Sequence, residues 1–428
     1  MAPQFSRLLQ PRLDELLANL AAVSIEGARA VGKTWLAQRN GGTFVPVDDP
    51  DEYAQLSILG ARLAEHAQKP LVLDEWQRMP ELWDRVRRAV DRDPAPGQFI
   101  LTGSASPAQA PVHAGAGRIA TMRMRPLSLV ERDIQTPTVS LSAMLTDGSS
   151  QQVGGTTHVG LDQYVDEILR SGLPAIRELP LLARQAQLDS YLEQTALHDL
   201  ADGTPRKARG LMRWMRAYAA GVSTCATYEA ISSFAEGRAG NPLAASTTRV
   251  YRDILEGIWV LEPVPGWLPS ENEFSRSTGM DKHQMCDPAL AARLLGLSAA
   301  GLLGVGRPSM TTLQGVPRRT RMLGPLFESL VVQSVQVYAD LCGARVHHLR
   351  TKGGRQEIDI IVEGSDRRVV AIEVKAGAAP RPETTRHLLW LRQRLGDRLA
   401  EAVVITSGDR AYRDKDGVAV VPAALLGP

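Results

Sequence analysis

The chain has 428 residues, 44% hydrophobic and 22% charged, with a formal net charge of +2 at pH 7. That length is too great for one core and fits two or three domains, and the composition is that of an ordinary soluble globular protein. So small a net charge excludes a surface that binds polyanions everywhere, so any nucleic-acid contact must be a local patch.

From the N-terminus, Phe5 to Leu20 read as an entry helix, followed by the apolar stretch Ala21 to Ile25. Gly27-Ala28-Arg29-Ala30-Val31-Gly32-Lys33-Thr34 is then a complete phosphate-binding loop, ahead of Trp35-Leu36-Ala37. A strand that runs into a glycine-rich turn and then a helix points backbone N–H groups at one spot, which suits an anion. Gly27 and Gly32 permit backbone angles that a side chain forbids, Lys33 can reach the β- and γ-phosphates, and the Thr34 hydroxyl can hold magnesium. The expected ligand is ATP or GTP; no Asn-Lys-x-Asp guanine-reading motif follows, which favours adenine.

Thr43 to Val47 reads as the next strand, and Lys69 to Glu75 as another that ends in two carboxylates. This places Asp74 at the C-terminal edge of a parallel sheet, where it would orient magnesium through water while Glu75 polarises the attacking water as general base. An acidic pair after a strand is often a solvated turn; the order of the two motifs makes this one specific. Glu81 to Val90 continues as a helix, and the strand Gln98 to Leu101 ends in Thr102-Gly103-Ser104. Thr102 and Ser104 are candidate γ-phosphate sensors, against a plain Ser/Gly turn. Gly117 to Ser128 alternates like a strand, with Arg118 at its start. A guanidinium at a subunit edge can neutralise the phosphoryl group held by a neighbour; otherwise Arg118 is one surface arginine among many.

The motifs GARAVGKT, LVLDEWQ, FILTGSAS and GRIATMRMRPLSLVE together resemble the prokaryotic AAA-superfamily ATPases that carry a C-terminal domain of unknown function. The resemblance continues in Tyr191-Leu192-Glu193 with His198-Asp199, in Lys282 to Asp287, in Gly324 to Glu328, and in EIDIIVEG and AIEVKAG, and so covers nearly the whole chain. It implies an AAA-type core, a winged-helix segment and a nuclease-like terminal domain. Leu141 to Gly160, rich in Ser, Gly, Thr and Gln, departs from that framework and reads as an inserted flexible loop.

A helix restarts at Leu161 to Leu169, ends at Ser171-Gly172-Leu173-Pro174, and leads as a helical lid into a long helix from Leu181 to Asp199. Thr227 to Ala235 and Ser246 to Glu256 then read as the inner helices of a winged helix, with Ile258 to Leu261 as wing strand. The second of these follows a Gly/Asn/Pro turn and bears Thr247, Thr248, Arg249 and Arg252, as a major-groove reader needs; winged helices also serve as lids and docking modules.

In the C-terminal third, Glu357 to Val362 alternates, so Asp359 shares a face with Glu357 while Ile358, Ile360 and Val362 pack inward. After a turn at Gly364 to Asp366, Ala371 to Lys375 alternates likewise and puts Glu373 and Lys375 on one face. Asp359 and Glu373 can then bind a divalent cation, with Glu328 from the preceding helix Leu326 to Tyr338 completing the shell and Lys375 steadying the attacking water. The arrangement resembles the PD-(D/E)XK nuclease superfamily, whose members cut DNA with magnesium. The plain alternative is a cross-strand ion pair on an exposed hairpin face, worth under about 1 kcal/mol. Arg381, Arg386, Arg392, Arg394 and Arg398 fall partly on one helical face that can track phosphates, or is simply solvated and balanced by Glu383 and Asp397. Val403 to Thr406 reads as a further strand.

The expected fold class is thus α/β: a P-loop NTPase core of AAA type (1–135), a flexible insert and helical lid (136–200), a winged-helix-like segment (201–270), and a small α/β restriction-endonuclease-like domain (271–428). The expected function is ATP hydrolysis, with Mg2+, that drives or gates an action on DNA, in a homo-oligomer with Arg118 acting in trans. The alternatives are a nucleotide-dependent switch whose C-terminal domain only binds DNA or protein, and a nuclease whose ATPase licenses assembly. Cys225, Cys286 and Cys342 lack metal-ligand spacing and read as small apolar groups in a reducing cytosol. No run approaches the roughly 18 apolar residues of a membrane span, and the N-terminus lacks a secretory apolar core, so a cytoplasmic location without membrane contact is expected.

Overall fold

Residues 22–26 are all apolar or uncharged except the last, and every one is buried, which a strand tolerates only inside a sheet covered on both faces. In the computed structural model, which describes residues 5–59, 67–104, 116–198, 205–236, 244–268, 279–304, 319–381 and 383–428, this strand, β1 (Ala22–Glu26), lies within such a sheet. Its neighbours are β2 (Thr43–Pro46), β3 (Leu71–Asp74), β4 (Phe99–Gly103) and β5 (Ile119–Arg123), in the order β2-β3-β4-β1-β5. All pairings are parallel. Because β4 is inserted between β1 and β3, Thr102 is in register with both Ile25 and Asp74. The helix Glu81–Arg92 buries Leu82, Trp83, Val86 and Val90, a spacing that keeps one helical face apolar. These side chains join Leu71, Leu73, Phe99, Leu101 and Trp76 in one core, where each large apolar side chain contributes about 1.5–3 kcal/mol.

The chain divides into two compact units, one of Met1–Pro126 with Asp253–Val260, the other of Leu127–Arg252 with Leu261–Pro428. The second holds a short strand, β6 (Val139–Ser140), and a six-stranded sheet. The strands of that sheet are β7 (Arg345–Arg350), β8 (Glu357–Glu363), β9 (Val369–Val374), β10 (Leu399–Thr406), β11 (Tyr412–Arg413) and β12 (Ala419–Pro422), in the order β11-β12-β10-β9-β8-β7. β7, β8 and β9 pair antiparallel, whereas β9, β10 and β12 run parallel. The helix Arg386–Leu395 makes the crossover between β9 and β10 and buries Leu388, Leu391 and Leu395 against Ile358, Ile361, Ala371 and Val404. The helix Leu323–Leu341 packs on β7, β8 and β9.

Three expectations change here. The segment from Leu141 is not a loose insert: Leu141–Thr146 is a helix with Leu141, Met144 and Leu145 buried, and its last carbonyls accept from Arg368. Thr157 N–H donates to the Asp409 carbonyl at 2.8 Å, and Val139–Ser140 pairs in parallel with Leu426–Gly427, so polar composition here reflects a folded edge of the second unit. The inner helices form as Tyr228–Glu236 and Ala245–Gly257, but Ile258 to Val260 is a turn and Leu261 makes only an isolated bridge to Met285, so Ile258 to Leu261 is not a wing strand. Finally, β8 is bulged, so that Ile358 and Ile361 share one core, and both of its faces are covered. Asp359 and Glu373 are therefore buried, not displayed on an exposed hairpin face.

Asp287 accepts from Ser171 Oγ at 2.8 Å and Gly172 N–H at 2.6 Å and caps the helix Pro288–Leu294, which gives the Lys282-to-Asp287 motif a structural role. Among the described residues no helix is long and apolar enough to cross a membrane. Asp199, the Gly240-Asn241-Pro242 turn, and Ala105 and Ser106 lie outside the described residues.

Candidate functional site

The loop after β1 turns where a Cβ on Gly27 would run into the Met124 carbonyl and where Gly32 takes φ 100°, in the left-handed region. Ala28 and Val31 pack inward, while Arg29 and Ala30 face solvent. Lys33 is only 5% exposed, and its Nζ donates to the carbonyls of Gly27 and Ala28, each at 2.9 Å. Burial pulls its ammonium down to about 8, while Glu75 and Asp74 push the other way. Thr34 Oγ1 lies 2.9 and 3.0 Å from the two carboxylate oxygens of Asp74, and the Thr102 hydroxyl donates to the same carboxylate. Burial raises the Asp74 carboxyl above its usual range, and these two hydroxyls act against that. The structure thus brings Lys33, Thr34, Asp74 and Thr102 together, with Thr102 bound to Asp74.

Glu75 adopts φ 55°, a left-handed conformation that costs a non-glycine residue about 1 kcal/mol or more. Its Oε2 accepts from Gln77 Nε2 and, at 3.2 Å, from Ser104 Oγ. Ser104 therefore steadies Glu75. Three further residues were not foreseen. Gln77 is one; no sequence signal marks it beyond its place after the acidic pair. Arg7, buried in the entry segment, donates to the carbonyls of Val31 and Arg125, each at 2.7 Å, and so ties the loop to the end of β5. Glu26 is buried directly before the loop, and burial pushes its carboxyl up to about 7 against the pull of Arg123. Arg118 is placed elsewhere: it precedes Ile119, whose partner is Ala22, at the end of the sheet away from Gly27. Its Nε donates to Asp91 Oδ1 at 2.8 Å.

The residues around this loop fit Mg·ATP. Loop amides and a buried ammonium match phosphate oxygens, and the Thr34 hydroxyl with the Asp74 carboxylate is a hard oxygen pair suited to magnesium.

In the second unit the structure also gathers Glu328, Asp359, Glu373 and Lys375, and adds Lys282. Lys375 Nζ lies 2.8 Å from Glu373 Oε2 and 3.3 Å from Asp359 Oδ2, which also accepts from Val374 N–H at 3.0 Å. Lys282, 1% exposed, places its Nζ 2.8 Å from Glu328 Oε1 and 3.0 Å from Asp359 Oδ1. Burial and the Asp359 charge raise both Glu328 and Glu373 to about 8. Asp359 is held well below the usual carboxylate range: burial opposes this, but Lys282 and Lys375 outweigh it. As built, this donor set does not fit a divalent ion, because ammonium groups hold both oxygens of Asp359 and one each of Glu328 and Glu373. Among the described residues no group of three or more His, Cys, Asp or Glu is arranged to hold a metal ion.

The other basic candidates are dispersed. Thr248 is buried and bonded to Ser232 at 2.8 Å, and Arg252 lies over the Tyr228 ring, leaving Thr247 half-buried and Arg249 exposed. Arg392 donates to the Asp416 carbonyl and Arg398 stands 3.8 Å from Glu363, while Arg381, Arg386 and Arg394 are exposed.

Comparison with known proteins bears on these sites unequally. Uncharacterized proteins of Mycobacterium tuberculosis and Mycobacterium bovis are each 27% identical to this chain over 96% of its length and 82% of theirs. The solved structure of Can2 from Sulfobacillus thermosulfidooxidans, in complex with cyclic tetra-adenylate, aligns over 94% of this chain and 96% of that one at 8% identity. Its TM-score of 0.19 carries no argument about fold. Residues 161–301 match the model of a domain of unknown function, DUF8612, and residues 323–426 that of another, DUF4143. Residues 19–132, which hold the loop, Asp74, Glu75 and the parallel sheet, match the model of an AAA domain, and this supports an ATPase of the AAA superfamily.

Proposed function

We propose that the chain binds Mg·ATP and hydrolyses it at the cluster of Lys33, Thr34, Asp74 and Glu75. The observation that carries this reading is the meeting of Thr34 Oγ1 with Asp74 at 2.9 Å, between residues 40 apart in sequence, one in the first turn of a helix and the other at the end of a strand. Lys33 and the amides of Gly27 to Gly32 bind phosphate oxygens, and Thr34 and Asp74 hold the magnesium. Glu75 takes the proton of the attacking water, kept in place by Gln77 and Ser104. Magnesium bound there supplies charge neutralisation on the transferring phosphoryl group. Arg118 serves the site of a neighbouring protomer, a role supported by its exposure and by its distance along the sheet from its own loop. Turnover then drives or gates an action on DNA.

The test is ATP turnover by the full chain with and without duplex, single-stranded and branched DNA. Glu75→Gln is expected to keep Mg·ATP binding and lower turnover by about a hundredfold or more, and Lys33→Ala to lose binding. Lys33→Ala that binds as tightly as the parent removes the ATP site from the reading. Turnover indifferent to every DNA removes the DNA-directed part and leaves a nucleotide switch.

A further inference from the structure

The carboxylates of the second unit have the residue types and chain order of a metal-dependent nuclease, yet both oxygens of Asp359 and one each of Glu328 and Glu373 are already engaged by ammonium groups. Lys282 reaches them from a segment fixed by its own backbone: its N–H donates to the Val264 carbonyl at 2.8 Å, and its carbonyl accepts from Val264 N–H at 2.9 Å. With the side chain 1% exposed, its ammonium bridges Glu328 Oε1 and Asp359 Oδ1 at 2.8 and 3.0 Å. We infer that Lys282 is the resident cation of this cluster and that the cluster takes no divalent metal.

Two further features support the assignment. Lys375 is 42% exposed and can swing away from Asp359 and Glu373, as a metal would require, whereas the Lys282 side chain is only 1% exposed. A magnesium ion needs carboxylate oxygens at about 2.0–2.1 Å and near-octahedral geometry, which would put it against a fixed positive charge within a few ångströms. The cluster then acts as a tie between the Lys282 segment, the helix Leu323–Leu341, β8 and β9, and phosphodiester cleavage by metal-bound water is not its chemistry. None of this depends on the ATP site.

The test is a calorimetric titration of nucleotide-free full-length protein with Mn2+, in an Asp74→Asn background so that uptake at the first site is not counted. The expected result is no Mn2+ uptake that Glu373→Gln abolishes. Lys282→Met, which leaves the carboxylates without their ammonium, is expected to bind Mn2+ at least on the order of a hundredfold more tightly. One Mn2+ bound with Lys282 present and lost in Glu373→Gln overturns the inference, as does a folded Lys282→Met chain that still takes none. If Lys282→Met does not fold, the first comparison alone decides.

Discussion

The two polar clusters of this chain use the same ingredients to opposite ends. Each sets a buried aspartate at the end or middle of a sheet strand and brings a buried lysine near it. At the loop, however, Lys33 donates to the neutral carbonyls of Gly27 and Ala28, and Asp74 accepts from the neutral hydroxyls of Thr34 and Thr102. In the second unit, Lys282 and Lys375 are spent on Glu328, Asp359 and Glu373. The charges of the first cluster rest on neutral groups, whereas those of the second rest on each other. Residue types and order do not distinguish a binding site from a closed ion-pair network; the partner of each charge does.

The largest expected effect separates the two aspartates. Asp74→Asn keeps an acceptor for the Thr34 and Thr102 hydroxyls but loses the charge that the proposed site uses for magnesium, so turnover is expected to fall by about a hundredfold or more while the unfolding midpoint stays put. Asp359→Ala strips the Lys282 and Lys375 ammoniums of a shared partner and costs about 3–5 kcal/mol of stability in denaturant titration. A fall in turnover without loss of stability at Asp359, or the reverse at Asp74, breaks the contrast.

A smaller effect concerns Glu26, whose carboxyl is raised to about 7 by burial despite Arg123. Because that value lies above the unfolded one, its contribution to stability is fully present below the unfolded pKa of about 4.5 and is lost as pH rises through about 7. Glu26→Gln should remove a fall of at most about 3 kcal/mol across that window, read from unfolding curves at stepped pH. An unchanged pH slope means that Glu26 is not buried as described. Smallest is Gln77→Leu, which leaves Glu75 held by Ser104 alone and should lower turnover by about tenfold or less with nucleotide affinity kept. A full loss of turnover there makes Gln77 part of the chemistry, and no change makes the contact idle.

Much of the first site was legible because its parts are contiguous: the loop residues from Gly27 to Thr34 specify their own turn, and an apolar run ending in Asp74 and Glu75 specifies its own strand end. Arg7 and Gln77 were not legible, since an arginine donating to two carbonyls and a glutamine donating to a nearby carboxylate leave no periodic or motif signature. The strand alternation at β8 misled because a bulge put Ile358 and Ile361 on one side and because a helix-covered sheet has no exposed face.

The sequence by itself determined the P-loop, the acidic pair, the helices with one apolar face and the order of the C-terminal carboxylates, since each depends on neighbours a few residues away. Only the tertiary structure decided that β4 stands between β1 and β3, which lets Thr102 meet Asp74. It alone decided, too, that Lys282 meets Glu328 and Asp359 across 46 and 77 residues of chain. A buried charge takes the partner that packing brings to it, and packing between distant segments is not written in any local pattern.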